Sequence, residues 1–240
     1  GINVFVEKPL SNSLVGLSEL KKTVNKNRVG LQVGFQRRFH PHFQKTNEII
    51  KSDKLGKITN AIFTVASYIP RWHPYEDYLD LYACRKDLGG GVLLTEIHEF
   101  DLCVWYFGKP ESVTCVGGTY SDVGMDVEDT VHVILDYISF SVQINLTFWQ
   151  KHHERTATIS GENGYLTWNQ DDDQLLVEYF DENIENCEYE NNNPGNDAMF
   201  DQQIKSVLEN LTYQNSMHSL DDSALSIAIV ESAKQSMAEK

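Results

Sequence analysis

The stretch DTVHVILDYISFSVQINLTFW, residues 129–149, alternates apolar and polar side chains over almost its whole length. Val131, Val133 and Leu135 fall on one face of an extended chain, and Val142 begins the same pattern again. A period of two indicates β-strands with one buried and one wet face. The stretch therefore predicts an antiparallel sheet.

The segments on either side extend this sheet and add a helix to it. RTATISGENGYLTW, residues 155–168, predicts a hairpin turning at Asn163-Gly164, which is a strong short-range turn signal. KITNAIFTVASYI, residues 57–69, predicts a long strand. LLTEIHEFDLCVWYFG, residues 93–108, predicts one continuous helix ended by its glycine.

The first part of the chain follows a different pattern. An apolar strand ends at EKP, and a helix follows with Leu14, Leu17, Leu20 and Val24 on one face and a stop at Asn27. VGLQVGF is a second strand, and a helix closed by the glycine at 56 comes next. Strand, helix, strand, helix predicts a parallel α/β unit.

Two more helices are predicted near the end of the chain. The last one, SALSIAIVESAKQSM, is rich in small residues that allow tight packing. The one before it carries an apolar stripe of Phe200, Ile204, Val207, Leu208 and Leu211. The fold class is thus a parallel α/β stub followed by a mostly antiparallel open sheet with flanking helices.

Composition excludes several classes of function. A formal charge of −15 over 240 residues argues against a nucleic-acid partner. No apolar run is long enough to span a bilayer, so no membrane partner is expected. Four cysteines without CxxC spacing indicate reduced thiols and a cytoplasmic protein. His152-His153 point to opposite faces of a strand, so no metal site is expected.

Three motifs occur in order: EKPL, GFQRRFHP and GGGVLLTEIHEFD. Together they resemble the Gfo/Idh/MocA family, the glucose–fructose oxidoreductase and inositol dehydrogenase type of enzyme. The resemblance implies an oxidoreductase that moves a hydride between NAD or NADP and a sugar, cyclitol or sugar derivative.

Family members carry a Rossmann domain with a glycine-rich phosphate turn, and no GxGxxG occurs here. The resemblance therefore implies that the N-terminal part of that domain is missing. Residues 1–40 are expected to be the C-terminal part of the cofactor domain. Residues 41–240 are expected to be the substrate and oligomerisation domain, with a last helix that can return to the cofactor domain.

The resemblance also assigns roles at the reacting hydroxyl. Lys8 is expected to contact it, and His98 is expected to handle its proton, since imidazole titrates near neutrality. Thr95 stands where the family usually has an Asp, and it is expected to bind a substrate hydroxyl. Asp101 is expected to share a helical face with His98, to orient its ring and to contribute to substrate binding.

The cofactor is expected to contact Glu7, Pro9, Arg37 and Gly90. Glu7 and Pro9 flank Lys8 at the end of a strand, where open α/β sheets bind ligands. Arg37 matches the family's basic residue near the nicotinamide, whereas its neighbour Arg38 is expected to be a surface residue. Glycines at 89–91 let backbone approach closely.

A loop of aromatic and charged residues precedes the glycines. Trp72 and Tyr82 are expected to stack on the substrate, and Arg71, Arg85 and Lys86 would suit an acidic or nucleotide-linked sugar. The plainer reading is a set of surface side chains.

A second hypothesis is a non-catalytic remnant that binds a sugar or dimerises. The missing phosphate turn and Thr95 favour it. By analogy with other open sheets, a homodimer or homotetramer is expected.

Overall fold

A computed structural model describes residues 1–190, 196–210, 212 and 219–239. A two-stranded parallel pair lies at the N-terminal end, and an eight-stranded sheet forms most of the rest. The mostly antiparallel sheet predicted from the alternating stretch is confirmed.

The parallel pair consists of β1 (Val4–Glu7) and β2 (Leu31–Gly34). Helix α1 (Leu17–Asn27) connects the two strands, and it ends at the predicted residue. It begins three residues later than the spacing of leucines suggested, because Gly16 has a left-handed φ of 81°.

Helix α2 (Pro41–Lys51) follows a short 3₁₀ turn at Gln36–Phe39. His40 caps α2, since its Nδ1 accepts a hydrogen bond from the His42 backbone N–H at 3.2 Å. The helix ends before the predicted stop at Gly56, which instead forms a left-handed turn into the sheet.

The large sheet has the strand order β10-β9-β8-β7-β3-β6-β5-β4. Every pairing is antiparallel except that of β3 with β6. The strands are β3 (Ile58–Tyr68), β4 (Ser112–Gly118), β5 (Thr130–Asp136), β6 (Ser141–Thr147), β7 (Trp149–Gly161), β8 (Gly164–Asn169), β9 (Gln174–Tyr179) and β10 (Cys187–Glu190).

Each face of the sheet has a distinct environment. Val131, Val133 and Leu135 of β5 are fully buried in the core, as the alternation predicts. Between them, His132 and Ile134 lie on the open face and are exposed. The predicted hairpin is confirmed as β7 and β8, which flank a turn at 162–163.

The helix predicted over 93–108 is two helices. Helix α3 (Val92–Thr95) stops at Glu96, whose φ of −97° and ψ of 33° leave the helical region. Helix α4 (His98–Phe107) then starts at His98. The continuous-helix prediction is therefore wrong, and Thr95 lies on a different helix from His98 and Asp101.

The last two helices are α5 (Asn196–Asn210) and α6 (Leu220–Ala238). The predicted stripe on α5 is largely exposed, with Leu208 80% exposed, while Met199 and Gln203 are buried; Leu211 lies outside the described residues. Helix α6 packs along β4, where Ser236 Oγ accepts from the Cys115 backbone N–H at 3.0 Å.

Helix α6 also reaches the N-terminal segment. Lys21 of α1 pairs with Asp221 at 2.5 Å, and the Leu14 backbone N–H donates to Glu231 at 2.9 Å. Within the part of the chain that the structure describes, no helix is both long and apolar enough to cross a bilayer.

Candidate functional site

Lys8 leaves the carboxyl end of β1 through a Lys8–Pro9 cis peptide. Its Nζ donates a hydrogen bond to the Thr95 carbonyl oxygen at 2.7 Å, so strand β1 is tied to the end of α3. Burial lowers the pKa of the Lys8 ammonium, because a charge is costly away from water. The carboxylates of Glu96 and Glu99 oppose this change, and the arginines 37 and 155 add to it.

His98 lies at the same end of the parallel pair. It is the first residue of α4 and is buried, and its ring meets Phe35 edge-on with centroids 5.6 Å apart. Phe35 directly follows β2, as Lys8 directly follows β1. The two residues predicted to act at the reacting hydroxyl therefore both contact the region where α3, α4 and the strand ends meet.

Asp101 has a close partner that the sequence did not suggest. Both of its oxygens accept hydrogen bonds from Arg38, from Nε at 2.9 Å and from Nη2 at 2.8 Å. Arg38 also donates to Asp222 of α6 at 2.9 Å. The expectation of a surface Arg38 is wrong, since it is only 1% exposed. The roles of Asp101 in orienting His98 and binding substrate stay predictions.

Sequence reasoning missed a buried ion cluster around Arg155 of β7. Its Nη2 donates to Glu96 at 2.5 Å and to Glu99 at 3.1 Å, and its Nε donates to Glu99 at 2.9 Å. Although burial disfavours the charge, both carboxylates hold the pKa of Arg155 above its ordinary value. In the sequence, the signal for this cluster was the pair of glutamates, Glu96 and Glu99, on either side of Ile97-His98 in TEIHEFD.

The cluster explains the break between α3 and α4. Glu96 leaves the helical conformation and Glu99 sits in the first turn of α4, and one guanidinium on the neighbouring strand binds both. Arg155 thereby holds Glu96, two residues before His98, and Glu99, the residue after it.

Arg37 is a second buried arginine, 7% exposed, with a different environment. Its Nη2 donates to the Gln170 side-chain oxygen at 3.5 Å, and its guanidinium lies 5.9 Å from the centre of the Phe43 ring. Burial, and then the charge of Arg155, lowers the pKa of Arg37 to about 9 despite the opposing effect of Glu99 and Glu96. Its cofactor role stays a prediction.

The two aromatic residues predicted to bind substrate are placed differently. Tyr82 is half exposed; its pKa is raised by burial and by Glu96, and an interaction with the Thr95 side chain opposes this. Trp72 packs edge-on against Phe148 of the core, with ring centroids 5.4 Å apart.

The basic side chains of the loop that contains Trp72 and Tyr82 lie at the surface. Arg85 forms a largely exposed pair with Asp87 at 2.7 Å, and Arg71 lies over the Tyr68 ring at 5.7 Å. Lys86 is exposed. The plainer reading of these three side chains therefore fits their positions.

The glycines and Glu7 show how closely the backbone is packed here. A Cβ on Gly90 would lie 2.3 Å from the Tyr82 carbonyl oxygen, so the glycine is required by the loop that precedes it. A Cβ on Gly34 would lie 2.9 Å from a Glu7 carboxylate oxygen. Cofactor contacts by Glu7, Pro9 and Gly90 stay predictions.

The described residues contain no group of three or more His, Cys, Asp or Glu arranged to hold a metal ion. What the site offers is a lysine, an imidazole, a hydroxyl and two arginines around a buried pair of carboxylates. These are proton-transfer and hydrogen-bonding groups, suited to a hydroxyl or carbonyl substrate.

The family model for the GFO/IDH/MocA C-terminal domain matches residues 43–167, just over half of the chain. The chain belongs to this family. The "Uncharacterized oxidoreductase YrbE" of Bacillus subtilis is 37% identical over 107 residues, covering 45% of this chain and 29% of that protein. The inositol 2-dehydrogenase of Rhizobium meliloti is 31% identical over 143 residues, covering 58% and 41%.

Among solved structures, an inositol dehydrogenase homolog from Azotobacter vinelandii, complexed with NAD+, superposes with a TM-score of 0.81. It is 14% identical, and the match covers 99% of this chain and 70% of that one. At this identity the likeness shows the shared fold. The chain matches less than half the length of the two curated relatives.

Proposed function

We propose that this chain is part of an NAD(P)-dependent oxidoreductase that transfers a hydride between the cofactor and a hydroxyl or keto group of a sugar, cyclitol or sugar derivative. The observation that carries the proposal is the 2.7 Å hydrogen bond from Lys8 to the Thr95 carbonyl. It brings the strand-end lysine to the residue three positions before His98. Family membership and the inositol dehydrogenase relative support the substrate class.

The chain supplies only part of the cofactor site in this proposal. Residues 1–40 form the C-terminal part of a Rossmann-type domain, and residues 41–240 form the substrate and oligomerisation domain. The parallel β1–β2 pair and the contacts of α6 with α1 support this division. Bound NAD or NADP would lie against Glu7, Pro9, Arg37 and Gly90.

In this proposal the nicotinamide ring of the cofactor lies at these strand ends. A Cβ on Gly34 would lie 2.9 Å from the end of the exposed Glu7 side chain, so Gly34 and Glu7 lie side by side at the strand ends. The cofactor, when bound, supplies the redox chemistry by accepting or returning the hydride. The protein's own residues position the substrate and move the proton.

Within this site Lys8 holds the reacting oxygen by a hydrogen bond. In the oxidative direction His98 accepts the hydroxyl proton, and in the reductive direction it returns the proton to the new hydroxyl. Thr95 and Tyr82 bind neighbouring hydroxyls of the substrate. Arg155, through Glu96 and Glu99, keeps the backbone on either side of His98 in place.

The test uses the whole protein, including any coding sequence upstream, assayed for NAD+ and NADP+ reduction with inositols and sugars. Lys8→Met and His98→Asn are expected to lower kcat/KM by about 10²- to 10⁴-fold, the range for loss of a general acid–base group. Lys22→Met and His132→Asn, which change exposed side chains, serve as matched controls. Unchanged turnover in His98→Asn would refute its assignment.

The second candidate is a non-catalytic domain that binds a sugar or dimerises. Thr95, in place of the family's usual Asp, favours it, since a hydroxyl carries no negative charge. Sugar binding by the whole protein without cofactor reduction would support this candidate.

We further propose a homodimer or homotetramer formed through the open face of the sheet. Ile62, Val116 and Ile134 are exposed there on three different strands. Isolated apolar residues are common on surfaces, but three exposed apolar residues on one face of a sheet favour a protein contact there. The four free cysteines, three of them buried, support the proposed cytoplasmic location.

A further inference from the structure

Two cations at the candidate site, the partly buried Lys8 and the buried Arg37, have neutral hydrogen-bond partners. Arg155 takes both carboxylates, Glu96 and Glu99, through three hydrogen bonds. The hydrogen bond of Lys8 is to a carbonyl, and that of Arg37 is to an amide oxygen at the long distance of 3.5 Å. Both carboxylates of the cluster are thus bound by Arg155, and neither Lys8 nor Arg37 has a carboxylate of its own.

Unlike Lys8, Arg37 cannot avoid the cost of burial by losing its proton near neutral pH. Burying an unpaired charge is costly, and a lysine escapes the cost by releasing its proton. A guanidinium stays protonated near neutral pH, and a pKa of about 9 leaves Arg37 charged there. Its Nε is enclosed and has no hydrogen-bond acceptor among the residues that the structure describes.

The residues outside the described ranges carry no acidic side chain that could pair with Arg37. Residues 191–195, 211, 213–218 and 240 include no Asp or Glu. Within the described part of the chain, the carboxylates that affect Arg37 are Glu99 and Glu96, and both are bound by Arg155. An anion from outside the chain would complete the site.

We propose that Arg37 binds the carboxylate of an acidic sugar whose reacting hydroxyl lies at Lys8. This rests on the oxidoreductase function proposed above and narrows its substrate class. The planar guanidinium fork matches a carboxylate and forms two charge-assisted hydrogen bonds with it. Gln170 lies beside the fork and Phe43 lies under it, so the guanidinium has fixed neighbours on two sides. The bound carboxylate gives Arg37 the counter-charge that its side-chain partners in the described structure do not supply.

An oxyanion at Arg37 has two possible sources, the substrate and the cofactor's phosphates. Isothermal titration separates them, using D-glucuronate, D-galacturonate, the neutral D-glucuronamide and NAD+. We expect at least one acid to bind tenfold or more tightly than the amide. Arg37→Met is expected to abolish this preference, and Arg28→Met, at an exposed arginine, is expected to keep it.

Three results would overturn the proposal. They are equal affinity for acid and amide, no binding of either acid by a folded protein, and loss of NAD+ binding as the only effect of Arg37→Met. If the whole enzyme oxidises neutral polyols and ignores acids, the oxidoreductase function stands and this proposal fails.

Stability provides a second measurement that needs no ligand. An arginine without a counter-charge destabilises the ligand-free chain, so Arg37→Met is expected to raise the urea midpoint. A lowered midpoint would mean that the chain already compensates the charge, and the proposal would be wrong. Arg28→Met is expected to leave the midpoint unchanged.

Discussion

His40 links the turn that carries Arg37 to the hairpin that carries Gln170. Its Nδ1 accepts from the His42 backbone, which leaves the proton on Nε2, and Nε2 lies 3.1 Å from an Asp173 carboxylate oxygen. Asp173 also accepts a 3.3 Å hydrogen bond from the Trp168 indole. The neutral imidazole therefore satisfies both of its nitrogens, and protonation would break the helix cap.

We expect His40 to make the protein lose stability in mild acid. Burial lowers its pKa from 6.5 to about 4; Asp173 opposes this change, and His42 and Arg37 add to it. As the pH falls below 6.5, His40 becomes protonated in the unfolded chain but stays neutral in the folded chain. The fall of about 2.5 pKa units corresponds to about 3 kcal/mol, at about 1.4 kcal/mol per unit. The loss accrues between pH 6.5 and 4 and is constant below.

Urea unfolding followed by tryptophan fluorescence at pH steps from 7 to 4 measures this loss. His40→Asn keeps an oxygen that can cap α2 but cannot titrate, so its free energy of unfolding should fall with pH less steeply by about that amount. His132→Asn, at an exposed imidazole, is the matched control and should follow the parent protein. Parallel pH profiles for the parent and His40→Asn would refute the reasoning.

Two further changes test the ion cluster and the open face. Arg155→Met leaves two buried carboxylates without a partner, so the free energy of unfolding measured by urea titration should fall by about 3–5 kcal/mol. Arg85→Met, which breaks an exposed pair, is the control and should change the free energy of unfolding little. A cost below about 1 kcal/mol for Arg155→Met would contradict the buried-pair account. Ile134→Asp should reduce the assembly to single chains, whereas Ile138→Asp, in a surface turn, should leave it intact; light scattering measures both masses. An Ile134→Asp variant with the same mass as the parent protein would exclude the proposed face.

The sheet was predictable because its signal is local. Each strand needs only its own alternation, and the Asn163-Gly164 pair marks its own turn. The parallel partner of β3 was not predictable in this way. β6 lies about eighty residues away, and pairing at that distance depends on how the intervening helices pack.

The break at Glu96 illustrates why helix boundaries failed. The local sequence over 93–108 favours one helix, since its apolar residues continue through the break. The competing interaction comes from Arg155, nearly sixty residues later, which binds a carboxylate on each side of the break. A tertiary ion pair overrides local propensity, and no window of sequence contains both partners.

The neighbours Arg37 and Arg38 show the same limit at the site itself. They are adjacent in one 3₁₀ turn and both are buried, so nothing local separates their roles. Arg38 forms ion pairs with Asp101 of α4 and Asp222 of α6. These two pairs connect the helices, which is a structural role. Arg37 turns towards the Arg155 cluster, whose carboxylates are already taken. A buried arginine paired with carboxylates has its charge compensated, whereas a buried arginine without a carboxylate costs stability that a bound anion restores. The difference between the two arginines is thus the physical reason to look for the substrate's charge at Arg37.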